Sequence, residues 1–194
     1  MGGMDADTER RVLELLAMGD VRSAATEAIR GLAPEVLRFL RALLRDEADA
    51  ADAFSEFAEH LWTGLGAFRG EASLRTWALR LARNAALNLR DEAWRRRGRP
   101  FATGEASALA EDLRTKSFVR VERQRAALDK LREALSMGDR MLLVLRVDQG
   151  LSWKEAAEVL AADGETPDVN ALTKRFERLK DRLAKMARDE GLLE

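Results

Sequence analysis

The chain has 194 residues, of which 46% are hydrophobic and 35% charged, and its formal net charge is -1. This hydrophobic fraction permits packed cores and excludes a globally disordered chain, and the length suits one or two domains. Cysteine is absent and His60 is the single histidine, which excludes disulfides, thiolate metal sites and multi-histidine metal sites. We therefore expect no metal and no cofactor.

The start of the chain and its hydropathy favour a cytoplasmic protein. Residues Met1 to Arg11 are polar and acidic, which is not typical of a signal peptide. No apolar run approaches the roughly 20 residues that a membrane-spanning helix needs.

In the first half of the chain, apolar residues at helical spacing predict an all-α fold. One or two short helices are expected between about residues 8 and 29, with an interruption at Gly19. Pro34 is expected to open the next helix, because a first-turn proline lacks only an N–H that would be unpaired anyway. A third helix is predicted from about residue 50 to residue 65.

The loop predicted over residues 64–73 holds three glycines, and Ser73 is expected to cap the helix that follows. This fourth helix is predicted to end in the basic run at residues 94–97. Its inward positions are predicted to be Leu74, Trp77, Ala78, Leu81, Ala85 and Leu89.

Weak apolar periodicity predicts a linker over residues 100–120, so we predict two helical domains, at residues 1–99 and 121–194. In the second domain, Ser152 and Glu155 have the spacing of a capping box, which predicts a short helix that reaches Leu160. Thr166 is expected to cap the last helix, with Pro167 in its first turn. Further predicted core residues of this domain are Leu128, Leu131, Leu135, Met141, Leu142, Val144, Leu145, Val147, Val169, Leu172, Phe176, Leu179, Leu183 and Met186.

The charges are segregated along the chain, which suggests two different partners. The acidic residues in the third predicted helix and just before it are Asp46, Glu47, Asp49, Asp52, Glu56 and Glu59. The arginines that follow them are Arg69, Arg75, Arg80, Arg83, Arg90, Arg95, Arg96, Arg97 and Arg99.

The segment from Gly150 to Met186 has the pattern of a helix–turn–helix whose last helix carries basic residues. Long cationic side chains on such a helix can reach phosphates and guanine edges in the major groove. The pattern by itself leaves open a helical hairpin with a solvated basic face. The basic residues concerned are Lys174, Arg175, Arg178, Lys180, Arg182 and Lys185.

Three segments of the sequence resemble the extracytoplasmic-function (ECF) group of bacterial RNA polymerase sigma factors. The most specific is AFRGEASLRTWALRLARN at residues 67–84, the second is DAADAFSE at residues 49–56, and the third is LSWKEAAEVL at residues 151–160. They occur in the order that the group has. The turn around residues 162–168 is longer than is usual there, and Glu177 and Asp181 interrupt the basic face.

The resemblance implies a protein without catalytic chemistry that binds RNA polymerase core and promoter DNA and is commonly controlled by an anti-sigma factor. It implies that Asp49, Asp52 and Glu56 dock on the basic clamp helices of the polymerase. It also implies that the loop at 67–73 receives an unstacked base of the -10 element, where a glycine allows close backbone approach. The residues implied for the -10 element are Arg69, Gly70, Glu71, Ser73, Arg75, Arg80, Arg83, Asn84 and Asn88. Those implied for the -35 element are Lys174, Arg175 and Arg178.

Two alternatives remain open on the sequence. A helix–turn–helix regulator that acts without polymerase explains the second domain but leaves the segment at 67–84 unexplained. A helical protein that mimics a sigma domain and binds another protein would need no DNA contact.

Overall fold

The computed structural model describes Met4 and residues 6–93, 134–162 and 165–189, with the side chains of residues 91–93 left out. Within these ranges the regular elements are helical, apart from one isolated antiparallel bridge between Ala162 and Glu165. The all-α prediction is therefore confirmed. The chain divides into two compact units, residues 1–118 and 119–194. The predicted linker and the helix predicted around Leu128 and Leu131 lie outside the described residues.

The described part of the first unit contains α1 (Ala6–Ala17), α2 (Val21–Leu44), α3 (Glu47–Gly64) and α4 (Leu74–Ala93). A 3-10 turn at Leu65–Ala67 follows α3 directly. α2 is the central helix of the unit, because it packs against α1, α3 and α4. The core of this unit includes the fully buried side chains Ile29, Leu32, Leu37, Phe39, Leu40, Leu43, Phe54, Phe57, Leu61, Leu65, Leu74 and Leu79.

The prediction that Pro34 opens a helix is wrong, because α2 begins at Val21 and runs through Pro34 to Leu44. Asp20 caps the helix by accepting the N–H of Ser23 at 3.1 Å. A proline in a helix interior costs roughly 3 kcal/mol. Burial of one large apolar side chain is worth about 1.5–3 kcal/mol. Ile29 before the proline and Leu37 after it are both buried, so packing on the two sides outweighs the cost.

α4 begins as predicted, with a buried set that differs in part from the predicted one. Ser73 accepts the N–H of Thr76 on its hydroxyl oxygen at 3.1 Å, which confirms the cap. Leu74, Ala78 and Ala85 are buried as expected, whereas Leu81 and Leu89 are half-buried. Leu79 is buried in their place, together with the small residues Ala82 and Ala86, because the helix packs closely against its neighbours through alanines.

The described part of the second unit contains α5 (Met137–Leu143), α6 (Trp153–Leu160) and α7 (Val169–Asp189). α5 continues into a π-helical segment at Val144–Asp148. The capping box of α6 is confirmed. The N–H of Ser152 donates to Glu155 at 2.7 Å, and the N–H of Glu155 donates to the hydroxyl of Ser152 at 3.2 Å. A small core of Leu142, Ala157 and Leu172 joins α5, α6 and α7, with Trp153, Leu160 and Phe176 packed against it.

The predicted cap of the last helix is wrong, because α7 begins at Val169 and Asp168 caps it instead of Thr166. The Asp168 carboxylate accepts the N–H of Ala171 at 2.8 Å, and its carbonyl accepts the N–H of Leu172 at 3.0 Å. A carboxylate at this position also opposes the positive end of the helix dipole, which a threonine hydroxyl cannot do.

Within the described residues, no helix combines the length and the apolar character needed to cross a membrane.

Candidate nucleic-acid interface

The acidic face of α3 begins at its N-terminal cap. Asp46 accepts the N–H of Asp49 at 2.9 Å, which brings its carboxylate to the first turn beside Asp49 and Asp52. Burial, and then the neighbouring charges of Asp46 and Asp52, raise the pKa of the Asp49 carboxyl. Asp49 and Asp52 are exposed, so these mutually repelling carboxylates are available to a cationic partner.

Glu56 lies further along α3, is half-buried, and is tied to α4. Its Oε1 accepts a hydrogen bond from the side-chain amide of Asn88 at 2.8 Å. The Nδ1 of His60 lies 4.0 Å from the same oxygen. The structure thus brings together Glu56, predicted to bind polymerase, and Asn88, predicted to bind the -10 element.

The loop between the 3-10 turn and α4 has an open tip on an aromatic base. The rings of Phe68 and Trp77 pack with centroids 5.2 Å apart. Gly70 has φ +70°, in the left-handed region, and a Cβ built there would meet nothing within 4 Å. Arg69, Glu71 and Ser73 are exposed beside it. The base of the loop is therefore fixed by packing, while its tip requires glycine geometry and faces open space.

One face of α4 carries polar side chains outward in a regular row. Arg80, Asn84 and Asn88 are exposed and follow each other at four-residue spacing, with half-buried Trp77 one turn before them. Arg83 is half-buried at the side of this row and donates to the side-chain oxygen of Asn84 at 3.1 Å. The loop tip and this row form one candidate surface for nucleic acid, because amides can read base edges and guanidinium groups can bind phosphates.

Arg75 is directed towards the interior of the unit. Its Nε and Nη2 donate to Oε1 of Glu35 on α2, at 2.8 and 2.5 Å. Glu35 is only 2% exposed, so its charge needs a partner. Removal of one member of a buried ion pair typically costs about 3–5 kcal/mol. The sequence did offer a signal for Glu35, which is an acidic residue between the buried positions Leu32 and Phe39.

The first turn of α4 has a second partner that the sequence did not predict. The carboxylate of Glu9 on α1 accepts the backbone N–H of Leu74 at 3.1 Å, across 65 residues of chain. This carboxylate satisfies a first-turn N–H that α4 cannot pair internally, and it also opposes the helix dipole. α1 therefore holds the end of α4 from which the loop departs.

The basic residues of α7 differ in their environments. Lys174 and Arg178 are exposed, and Lys180 pairs with Glu177 at 2.7 Å. Arg175 and Arg182 are exposed as well, at 45% and 52% of their side chains, but both are bonded to Asp139 on α5. Arg175 donates through Nε to Oδ1 at 2.9 Å, and Arg182 donates to the other oxygen of the same carboxylate. Although burial raises the pKa of Asp139, hydrogen bonds from Arg182, Arg175 and Ser136 outweigh it and lower that pKa.

The two last helices are also fixed to each other by aromatic packing. Trp153 at the start of α6 meets Phe176 of α7 edge-to-face, with centroids 5.5 Å apart. The guanidinium carbon of Arg146 lies 4.2 Å from the centroid of the Trp153 ring. The turn between the helices closes with reciprocal backbone hydrogen bonds between Ala162 and Glu165, at 3.0 and 2.9 Å.

No chemistry of metal binding emerges from these surfaces. Within the described ranges, no group of three or more histidine, aspartate or glutamate side chains is placed to hold a metal ion. The polar clusters described above are ion pairs between helices and caps at helix N-termini.

An acidic helix face beside a row of arginine and amide side chains has the charge and hydrogen-bonding groups that suit a basic partner and nucleic acid. In a comparison with protein families, residues 28–99 match the model of Sigma-70 region 2. The match includes most of α2, all of α3 and the loop, and α4, and it supports a sigma-70 family factor. Sigma-70 factors bind RNA polymerase, take part in promoter recognition and are not enzymes. A search of curated proteins found no match to the chain.

Proposed function

We propose that this protein is an alternative sigma factor of the ECF group, which directs RNA polymerase core to a promoter and takes part in melting it. In this proposal it works in the cytoplasm, requires no cofactor and is controlled by an anti-sigma factor. The observation that carries the proposal is the joint surface of α3, the loop and α4, which coincides with the segment that matches Sigma-70 region 2.

In the proposed complex, Asp49, Asp52 and Glu56 bind the basic clamp helices of the polymerase core. The exposure of Asp49 and Asp52 supports this role. Burial, and then the charges of Asp46 and Asp52, raise the pKa of Asp49, and a cationic surface would relieve the repulsive part of this shift. The first domain, predicted at residues 1–99, would thus join polymerase to the upstream promoter element.

The -10 element is bound by the loop tip and the outward row of α4. Arg69, Gly70, Glu71 and Ser73 surround an unstacked base, and the row of Arg80, Asn84 and Asn88 follows the strand. Arg83 lies at the edge of this row and supports Asn84. Arg75 contributes by neutralising Glu35 and thereby holding α4 on α2.

The -35 element is bound by α7 in the second domain, predicted at residues 121–194. The exposed cations Lys174 and Arg178 supply phosphate contacts or base-edge contacts in the major groove. A capped α6 packed on α7 gives the helix–turn–helix arrangement that such a contact requires. Arg175, predicted for the same element, donates to Asp139 on α5.

Run-off transcription with purified bacterial core polymerase tests the proposal. The template is the DNA upstream of this protein's own gene, and reactions are compared with and without the full chain. We expect a discrete start site that appears only with the protein. If the chain binds this DNA without core polymerase and gives no transcript, it is a helix–turn–helix regulator. If it binds neither DNA nor core, it is a sigma-domain mimic that binds another protein.

A further inference from the structure

The strongest unassigned feature of the second unit is a carboxylate shared by two arginines of the DNA-binding helix. Asp139 lies in the first turn of α5, and its side chain is 12% exposed. One of its oxygens accepts from Arg175 and the other from Arg182, two turns further along α7. Its backbone N–H in turn donates to the hydroxyl of Ser136 at 3.2 Å.

The backbone beside Asp139 is shaped to receive Arg175. A Cβ at Gly138 would lie 2.7 Å from Nη2 of Arg175, so a side chain larger than hydrogen would displace the guanidinium. Gly138 therefore leaves free the space that the guanidinium of Arg175 occupies while it binds the Asp139 carboxylate.

The helical positions of the α7 cations separate them into two groups. Arg175 and Arg182 are seven residues apart and point to the same side, where Asp139 binds both. Lys174 and Arg178 are four residues apart and lie on an adjacent exposed side. Two charge-assisted hydrogen bonds on one carboxylate add to the packing of Leu172 and Phe176 in setting the rotation of α7 about its axis, and this rotation decides which side reaches DNA.

We propose that Asp139 is a positioning residue of the -35 interface: it retains Arg175 and Arg182 on α5 and thereby directs Lys174 and Arg178 to the promoter. This inference rests on the proposed function. It revises the assignment of Arg175 from a DNA contact to a residue that orients the helix. The retained arginines add no phosphate contacts, and the orientation of α7 supplies discrimination between promoters.

The test uses the full chain bound to core polymerase and two promoter templates, one with the -35 element intact and one with it scrambled. Affinity is measured over a series of salt concentrations for wild type, D139N and D189N. Asp189 is exposed at the C-terminal end of the same helix, about three turns beyond Arg178, so D189N changes the net charge equally and leaves the Asp139–Arg175 pair intact. The slope of log affinity against log salt counts phosphate contacts at about 0.9 per contact on duplex DNA.

We expect D139N to release both arginines. Its salt slope on the scrambled template should become steeper by about 0.9–1.8, and its preference for the intact -35 element should fall about five-fold or more. D189N should change neither the slope nor the preference. If D139N behaves like D189N, or weakens binding to both templates with an unchanged slope, Asp139 has no positioning role.

A second pair of variants decides the matter even if D139N does not fold. R178A should lower the salt slope by about 0.9, whereas R175A should leave the slope unchanged. A slope that falls equally in R175A overturns the inference. If the wild-type complex does not distinguish the two templates, the proposed -35 function itself is contradicted. If wild type and D139N both prefer the intact -35 element to the same extent, only the positioning role of Asp139 is contradicted.

Discussion

The side-chain amide of Asn88 donates to Glu56 at 2.8 Å and so connects the two faces that we propose for DNA and for polymerase. A hydrogen bond between an amide and a carboxylate at a partly exposed position contributes on the order of 1 kcal/mol. Because the two residues belong to different proposed interfaces, a change in one side chain alters the orientation of the other.

This connection predicts non-additive effects of E56A and N88A on promoter use. The double variant should be no weaker than the weaker single variant, with a coupling of about 0.5–1 kcal/mol, or two- to five-fold in relative transcription. N84A is the matched control, since Asn84 shares the exposed row and its amide oxygen accepts from Arg83. Full additivity of E56A with N88A, as expected for E56A with N84A, would contradict the connection.

Asp49 is expected to limit the stability of the first unit. Burial and the charges of Asp46 and Asp52 raise its pKa, so ionisation of Asp49 costs stability at pH values above that raised pKa. The cost disappears as the pH falls below the ordinary carboxyl pKa of about 4. D49N should therefore melt at a higher temperature than wild type at pH 7 and at the same temperature near pH 3.

The melting comparison for D49N has two internal checks. Added salt should shrink the difference, because exposed charges are screened. The dipole of α3 favours a charge at this position, so a lower melting temperature for D49N at pH 7 would show that the dipole outweighs the repulsion. Affinity for core polymerase should fall in the same variant, since the proposed interface loses a charge.

Gly70 is expected to be required for its backbone conformation and not for its small size. Its φ of +70° disfavours alanine by about 1–2 kcal/mol, while the space around it is open. G70A should reduce open-complex formation several-fold, and G70N should restore most of it because asparagine tolerates this region. G66A is the control, since its Cβ would make an ordinary contact at 3.5 Å from Val21. Equal activity of G70A and wild type would contradict a role for the loop shape.

The second unit is expected to lose stability in acid through Asp139. Its folded pKa lies below the ordinary value, so its contribution is complete above the unfolded pKa of about 4 and is lost as the pH falls through the lower folded value. The indole N–H signal of Trp153 in NMR spectra of the full chain reports on this unit. Acidification below about pH 4 should destabilise the wild-type unit more than D139N, whereas D189N should follow wild type. A D139N unit with the same acid profile as wild type would exclude this source of acid sensitivity.

The sequence predicted the features of this fold that depend on near neighbours. The caps at Ser73 and Ser152 each use a residue three positions away, and both are confirmed. The helix start at Pro34 was predicted wrongly because local preference favours a first-turn proline, whereas the packing of α2 on three other helices decides the outcome. The cap predicted at Thr166 was wrong, because Asp168, two residues later, is a stronger acceptor and caps the helix.

The paired charges were hidden from the sequence because their partners lie 36 to 43 residues apart. Arg75 and Arg175 look like surface cations in the chain, and only the fold shows that Glu35 and Asp139 hold them. No local periodicity specifies which arginine of a basic helix is retained. The outward row of Arg80, Asn84 and Asn88 was predictable, since it follows from helical spacing alone.

The hydrogen bond from the N–H of Leu74 to Glu9 has a consequence for how the first unit is synthesised and folds. α1 leaves the ribosome first, yet the group that it caps is made 65 residues later. The contact therefore forms only after α2 and α3 have been translated. Its formation costs the conformational entropy that is lost when a long loop closes. The loop before Leu74 therefore gains this anchor only after the chain has been made as far as α4.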